Sequence, residues 1–292
     1  MNRYSAGAVI FLTLGVLLPM CSKSPTDEQI DTTPPWGGLV NTSDPVNTVK
    51  LMFIHHSTGS NWIETDYGNL GVNLNAANFF VTESDYGWTS AAVPAACQSP
   101  IGDYTDTQDW PCWFNDTTMP SVYANAHHED YPVNTMADPS GENEIIMFKS
   151  CFPSSDAGDD ITDEQALYNS LLPYFAAHTD KMFVLMVPPP MQIISNPART
   201  RELANWLADR WTGWLSGYNG GNVFVFDYYN VLTHQRNHHY VRDGYEYHVV
   251  AASQNTLYYP SGDDHPSAAG QQKATAEFVP LLKAWYHQWK GL

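Results

Sequence analysis

Five short apolar segments constrain the fold of this 292-residue chain more than any other feature of its sequence. They are rich in β-branched and aromatic residues, and they lack the apolar–polar alternation of a strand that is exposed on one face. Such runs are typical of strands covered on both faces, which is the environment of a parallel sheet. The segments are residues 49–54, 78–82, 144–150, 182–187 and 222–227.

The regions between and after the later strands show helical periodicity. Apolar residues recur at helical spacing in residues 163–178 and 198–215, and a last helix is predicted after Pro266. Strands that alternate with helices predict right-handed crossovers, and we therefore predict a doubly wound α/β fold with three layers and a mostly parallel, five-stranded sheet. The apolar residues predicted on the inner faces of the last two helices are Leu203, Trp206, Leu207, Trp211, Trp214, Ala269, Ala276, Val279 and Leu282.

One connection is much longer than the others. Residues 83–143 join the second and third strands with little periodicity, and loops of this length in compact domains are usually functional or held down. The insertion is rich in aromatic residues, which could stack on a substrate ring and could equally pack in the core. The tryptophans that we expect to contact a substrate are Trp62, Trp88, Trp110 and Trp113.

The first 21 residues have the pattern of a signal peptide. Arg3 precedes an apolar run over residues 6–20, which is shorter than the roughly 18 residues that a membrane span needs. The run ends in Leu-Pro-Met-Cys, which resembles a bacterial lipoprotein cleavage box with Cys21 as the lipidated residue, although Met20 replaces the usual small residue. We expect an exported lipoprotein, with ordinary secretion as the alternative, followed by a flexible tether over residues 22–48 and a hydrolase domain over 49–292.

Export would permit a disulfide bond. Cys97 and Cys112 lie in the same insertion, and a bridge between them would stabilise the fold by roughly 3 kcal/mol. Cys151 follows the third predicted strand, and we expect it to be a packed, unpaired thiol.

Composition excludes two classes of protein. Thirteen Lys and Arg residues stand against 31 Asp and Glu residues, and the resulting net charge of −18 argues against a nucleic-acid partner. A hydrophobic content of 43% argues against disorder. We expect a monomer without a cofactor, which meets a membrane only through a possible N-terminal lipid.

Ligands of open α/β sheets bind beyond the carboxyl ends of the strands. Ser57 lies just after the first predicted strand, where its hydroxyl could act as a nucleophile or cap the following helix. His265 precedes the last helix and stands beside Asp263 and Asp264. A hydrolytic serine needs a base within hydrogen-bond reach and an acceptor that orients that base. These residues therefore predict an acyl-transfer site.

The serine after the first strand and the Asp/His-Pro turn before the last helix resemble those of the SGNH/GDSL-type hydrolases. The resemblance covers the body of the chain from about Val49 to Trp289 and implies a flavodoxin-like strand order and esterase activity. It also implies that Ser57 is the nucleophile and His265 the general base. Gly87, in Ser-Asp-Tyr-Gly-Trp, corresponds to the family's oxyanion-hole glycine.

The chain departs from this family in three places. His55-His56-Ser57 replaces Gly-Asp-Ser, and the family's asparagine after the third strand is missing, so Lys149 or Ser150 would have to supply that oxyanion donor. The family's acid lies three residues before the histidine, where this chain has Gly262. Asp263 is our first choice for the acid, ahead of Asp264, and a Ser–His dyad with a carbonyl acceptor is the alternative.

Taken with the predicted export, these features favour a carbohydrate O-acyl esterase, such as one that removes acetyl groups from a polysaccharide. The departures from the family pattern support an alternative from another class, a catalytically inactive glycan-binding lipoprotein. Metal sites are weaker possibilities. His234 and His238 lack an HExxH frame, and the spacing of Asp103, Asp106 and Asp109 is not that of an EF-hand.

Overall fold

The structure is a computed structural model that describes residues 29–31, 39–55, 57–85, 101, 107–126, 135–150, 160–194, 196–252 and 254–292. The predicted signal peptide and lipidation residue Cys21 lie outside the described residues, as do Gly87, Trp88, Cys97 and Cys151. No helix in the described part of the chain is both long and apolar enough to cross a bilayer.

The described residues contain eight strands and eight α-helices. The strands are β1 (Gln29–Asp31), β2 (Val49–Ile54), β3 (Phe79–Ser84), β4 (Ile145–Lys149), β5 (Met182–Met186), β6 (Val223–Phe226), β7 (His238–Arg242) and β8 (Tyr245–Val250). The helices are α1 (Thr58–Ile63), α2 (Leu70–Ala76), α3 (Trp110–Trp113), α4 (Met119–Tyr123), α5 (Thr162–Ala177), α6 (Pro197–Ala208), α7 (Tyr228–Thr233) and α8 (Ala268–Lys290).

The five predicted strands form one parallel sheet in the order β3-β2-β4-β5-β6. This is a flavodoxin-like order, in which the first strand of the sheet lies between the second and the third. The prediction of a parallel α/β sheet is therefore confirmed, and every pair in this sheet is parallel. In the register of the sheet, Ile54 lies opposite both Ser84 and Phe148, so three strands end together beside Ser57.

Each face of this sheet packs against its own hydrophobic core. On β2, Leu51 and Phe53 point into one core, whereas Met52 and Ile54 point into the other. Helices α1, α2 and α8 cover the first face, and α3, α4, α5 and α6 cover the second. All six residues of β2 are buried, which explains why its sequence does not alternate.

The helix predicted over residues 198–215 ends earlier, because α6 stops at Ala208. The Asp209 carboxylate accepts hydrogen bonds from the backbone N–H groups of Trp211 and Thr212, at 2.8 and 3.1 Å. Such bonds compete with helical backbone bonds and turn the chain. Trp211, predicted on an inner face, is consequently 56% exposed.

Helix α8 follows Pro266 as predicted, but its inner face differs from the predicted one. Ala269 and Ala276 are exposed, while Gln271 and Thr275 are buried. Both buried polar side chains form hydrogen bonds with other elements, which removes the cost of burying them. Leu282 is buried and Val279 packs against the core as predicted, so the apolar pattern identified part of this face and missed its polar residues.

A β-hairpin follows α7 and carries His238. Strands β7 and β8 pair antiparallel and are joined by Asp243 and Gly244, whose φ angles are +54° and +79°. Two central residues with positive φ are the feature of a type I′ turn, for which Asp-Gly is a preferred sequence. Strand β1 adds to β8, so the predicted tether contains a short strand.

Candidate active site

Ser57 lies at the position where the order of the strands reverses. It follows β2, whose neighbours β3 and β4 come next in the chain and lie on opposite sides of it. Connections that leave such neighbouring strands in opposite directions open a crevice at the carboxyl edge of the sheet. The fold therefore places this serine where doubly wound proteins bind their ligands.

The backbone of Ser57 is held in an unusual conformation. Its φ is +47° and its ψ is −105°, which for a residue other than glycine costs roughly 1–3 kcal/mol. The Asn61 N–H donates to the Ser57 carbonyl at 3.1 Å and so begins α1. Among the described residues the Ser57 hydroxyl forms no capping bond, and the helix-cap alternative is wrong.

The Ser57 hydroxyl instead forms a hydrogen bond with Nε2 of His265, from a residue 208 positions away in the chain. The other ring nitrogen of His265, Nδ1, lies 3.0 Å from Oδ1 of Asp263. Because an ionised carboxylate can only accept a hydrogen bond, Nδ1 carries the hydrogen in this arrangement. Nε2 is then the acceptor for the serine hydroxyl, which is the tautomer that a general base requires.

Asp263 approaches the histidine through a local turn. Its Oδ1 accepts the backbone N–H of His265 at 2.8 Å and the hydroxyl of Ser261 at 2.8 Å. Chiefly because of that backbone bond, and then because of the Ser261 and His265 side chains, the pKa of the Asp263 carboxyl lies below its ordinary value. Gly262, with a φ of +117°, allows the turn that brings the acid two residues before the histidine into contact with it.

Asp264 occupies a different position. Its Oδ1 accepts the backbone N–H of Gln192 at 3.0 Å, in the loop that follows β5. The residue therefore anchors a neighbouring loop, and the described contacts of the His265 ring involve Asp263 rather than Asp264. The order in which we ranked the two acids agrees with these contacts, while any catalytic role stays a prediction.

His265 is fixed from both sides of its turn. Pro260 and Pro266 form an isolated β-bridge, and the Ser267 N–H donates to the Tyr259 carbonyl at 2.7 Å. The Tyr67 hydroxyl donates to the Pro266 carbonyl at 3.0 Å. Burial, followed by the charges of Asp263 and Glu64, raises the pKa of the Tyr67 phenol, so this donor stays protonated.

A buried histidine–glutamate pair, which was not predicted from the sequence, lies at the strand ends next to the Ser57 turn. His55 Nε2 is 2.9 Å from Oε2 of Glu83, and both side chains are fully buried. The His55 ring packs against Gly59, where an added Cβ would lie 2.5 Å from the Cβ of His55. The only signal in the sequence was a polar residue at the end of each of two adjacent strands.

The predicted oxyanion donors lie at the end of β4, next to β2. Lys149 is fully buried and its Nζ donates to the Ser150 carbonyl at 3.1 Å. The Ser150 hydroxyl accepts a hydrogen bond from the hydroxyl of Thr107 at 3.3 Å. These contacts are with residues other than Ser57, and the oxyanion role of Lys149, Ser150 and Gly87 stays a prediction.

Three of the four tryptophans expected to bind substrate belong to the cores, and for these the prediction is wrong. Trp62 is fully buried, stacks on Tyr228 at 4.7 Å and donates its Nε1–H to the Thr275 hydroxyl at 2.9 Å. Trp110 and Trp113 are equally enclosed in the second core. Rings that are enclosed between the helices and the sheet cannot stack on a ligand.

The remaining sequence candidates have structural partners. Cys112 is disulfide-bonded, but the other three cysteines lie outside the described residues, so its pairing with Cys97 stays a prediction. His238 Nδ1 lies 2.7 Å from Oε1 of Glu277, and Asp109 is buried. Within the part of the chain that the structure describes, no three His, Cys, Asp or Glu side chains are arranged to hold a metal ion.

A second set of ionisable groups lies beside a cavity of about 80 Å³ between the edge strand β6 and the hairpin, and Arg210, His239, Glu246 and His248 line that cavity. Asp227 is fully buried and forms an ion pair with His248, while Glu246 bonds His239 at 3.0 Å and Arg210 at 2.9 Å. Each carboxylate is paired with a histidine or an arginine. These groups form a separate cluster from Ser57 and His265.

Comparison with protein-family models, with curated proteins and with solved structures found no match to this chain. The function of the site is therefore inferred from its geometry and chemistry.

Proposed function

We propose that this chain is a serine ester hydrolase in which Ser57 is the nucleophile, His265 the general base and Asp263 the group that orients His265. The observation that carries the proposal is the hydrogen bond between the Ser57 hydroxyl and Nε2 of His265, whose Nδ1 faces a carboxylate. A nucleophile, a base and an orienting acceptor in mutual contact are what acyl transfer requires.

In the first half of the reaction, the Ser57 oxygen attacks the ester carbonyl while His265 Nε2 takes the hydroxyl proton. The tetrahedral intermediate then collapses, the bond to the alcohol oxygen breaks, and His265 returns its proton to the leaving alcohol. In the second half, water attacks the acyl-enzyme with His265 again as base. The acid leaves and the Ser57 hydroxyl is restored.

The resemblance to SGNH/GDSL-type hydrolases supports the same assignment, because the serine follows the first strand of the sheet and the histidine precedes the last helix. The Asp263 contact supplies the acceptor that the family places one residue earlier. As a substrate class we propose an O-acylated carbohydrate outside the cell. This part rests on the predicted export signal and on Trp88, since the other three tryptophans are in the cores.

The proposal is tested by the hydrolysis of p-nitrophenyl acetate and by serine-directed fluorophosphonate labelling. We expect Ser57→Ala to abolish labelling and to lower kcat by about 10⁴-fold or more, because the triad acts as a unit. Ser170→Ala, at an exposed position on α5, is the matched control and should retain wild-type turnover.

Turnover that survives Ser57→Ala would show that another residue is the nucleophile. A wild-type protein that neither turns over esters nor accepts the label would favour the glycan-binding alternative. A panel of acetylated polysaccharides, with released acetate as the readout, then tests the substrate class.

A further inference from the structure

Gln271 is a fully buried polar residue in the first turn of α8 and takes no part in the proposed chemistry. We infer that it is a positioning residue, which holds the turn of the nucleophile against the helix that follows the base. The inference rests on the proposed function of Ser57 and His265, and it goes beyond that function by assigning a role to side chains outside the triad.

Both ends of the Gln271 amide are used. Its Nε2 donates to the Thr58 carbonyl at 3.1 Å, one residue after the nucleophile, and its Oε1 accepts the hydroxyl hydrogen of Tyr228. Tyr228 and Thr58 are also fully buried. Since the amide nitrogen can only donate and the amide oxygen can only accept, these two partners determine the orientation of the amide.

The Ser57 turn needs such support. A strained backbone conformation persists only where the surrounding structure over-determines it. Helix α1 has six residues, and a helix of that length is not stable by itself in water. Gln271 contacts the turn from the side of α8, while the His55 ring packs against Gly59 from the side of the sheet.

The same helix also determines where the base lies. His265 is joined to α8 through Pro266 and Ser267, and the Ser267 carbonyl accepts the Gln271 N–H at 3.0 Å. The backbone N–H of Gln271 therefore bonds the segment that carries the base. The side chain of the same residue bonds the segment that carries the nucleophile. We call the hydrogen-bonded series Tyr228–Gln271–Thr58 the amide strut. It links the position of the Ser57 hydroxyl to that of the His265 ring.

The decisive variant is Gln271→Leu, which keeps the volume but removes both hydrogen bonds. We expect kcat for p-nitrophenyl acetate to fall roughly 10²-fold with KM changed less than about 2-fold, because a small misplacement of a reacting group lowers the rate of the chemical step. The rate of fluorophosphonate labelling should fall in parallel. Gln288→Leu, at the far end of the same helix, is the control and should behave as wild type.

Tyr228→Phe removes only the hydroxyl and keeps the ring that packs on Trp62. It tests the strut even if Gln271→Leu does not fold, and we expect about a 10-fold loss of kcat, since Gln271 keeps its bond to Thr58.

Gln271→Glu supplies a readout that a purely structural role would not change. The protonated acid can donate to the Thr58 carbonyl and accept from Tyr228, whereas the carboxylate has no hydrogen to donate to Thr58. The ratio of variant to wild-type kcat should therefore rise as the pH falls. All variants are compared at a temperature where circular dichroism shows them folded.

Wild-type turnover in folded Gln271→Leu and Tyr228→Phe, or a pH-independent ratio for Gln271→Glu, would overturn the inference and leave the proposed function intact. A wild-type protein without turnover or labelling would overturn both.

Discussion

At the scale of single residues, a local turn places the carboxylate of Asp263 against His265. Asp263 bonds both the backbone N–H and the ring of His265, and the two residues are only two positions apart. Its side chain is 67% exposed, in contrast to the buried acid of a typical triad. Solvent weakens the electrostatic part of this contact, so the main contribution of Asp263 is to hold the tautomer and orientation of the ring.

We accordingly predict that Asp263→Asn lowers kcat by at least about 10-fold, and by less than the roughly 10⁴-fold loss at a buried acid. The asparagine side chain can also present its NH2 group to Nδ1 of His265, which selects the tautomer whose Nε2 carries the hydrogen and cannot accept the Ser57 proton. Steady-state hydrolysis of p-nitrophenyl acetate measures the effect. The matched variant is Asp264→Asn, whose amide oxygen can still accept the Gln192 N–H, and a larger loss there than in Asp263→Asn would contradict the assignment.

The structure brings Ser57, His265 and Asp263 into contact as predicted, while their catalytic roles stay predictions. The residue-scale predictions that depend on packing were wrong. The Ser57, His265 and Asp263 pattern could be read from strand ends and from neighbouring residues. The burial of Trp62, Trp110 and Trp113 could not be predicted in this way. The residues next to a tryptophan in the sequence do not indicate which distant element will pack against its ring. The roles of Gln271 and His55 were missed for the same reason.

At the scale of elements, the hairpin β7–β8 introduces charges into the interior. Burial opposes the charge on His248, but the charge of Asp227 and its hydrogen bond outweigh that effect and raise the pKa of the His248 imidazole above 6.5. Burial likewise opposes the charge of Asp227, yet His248 and Asn230 lower the pKa of this carboxyl below 3.8. The hairpin and the end of β6 are thus joined by an ion pair between the buried Asp227 and the partly buried His248.

The pH dependence of stability follows from these shifts. A raised His248 pKa stabilises the fold fully below about pH 6.5, and this contribution is lost as the pH rises through the folded-state value. The Asp227 contribution is present above about pH 3.8 and is lost as the pH falls through its lowered value. His248→Gln should therefore reduce the free energy of unfolding most between these limits.

Urea denaturation at about pH 5 and about pH 9 measures this difference between wild type and His248→Gln, and we expect it to be smaller at the higher pH. Asp227→Asn should show the same trend, because it removes the partner that raises the His248 pKa. A difference that stays constant or grows with pH would exclude the ion pair as its source.

At the scale of the whole molecule, the long insertion is part of the fold. Its described helices α3 and α4 supply Trp110, Trp113 and Val122 to the core on one face of the sheet. Cys112 lies on α3 and is disulfide-bonded. The insertion is therefore held both by packing and by a covalent bond.

We predict that the partner of Cys112 is Cys97, and that reduction of this bridge lowers the free energy of unfolding by roughly 3 kcal/mol. Mass spectrometry of peptides from a non-reducing digest identifies the pair, and urea denaturation with and without reductant gives the energy. Cys151→Ser should leave both results unchanged, and a Cys112–Cys151 peptide in the digest would contradict the pairing.

The sequence by itself indicated the strands of the sheet, the existence of the long helices and the meeting of Ser57 with His265, whose catalytic roles stay predictions. These features follow from the periodicity of apolar residues, which can be seen in the sequence, and from the rule that parallel strands end at a common edge of the sheet. The tertiary structure alone decided which polar side chains of α8 are buried, which tryptophans are enclosed, and that the amide strut reaches the Ser57 turn. Each of those outcomes joins residues far apart in sequence, as Thr58 and Gln271 are at a separation of 213 positions, and so depends on how distant elements pack together.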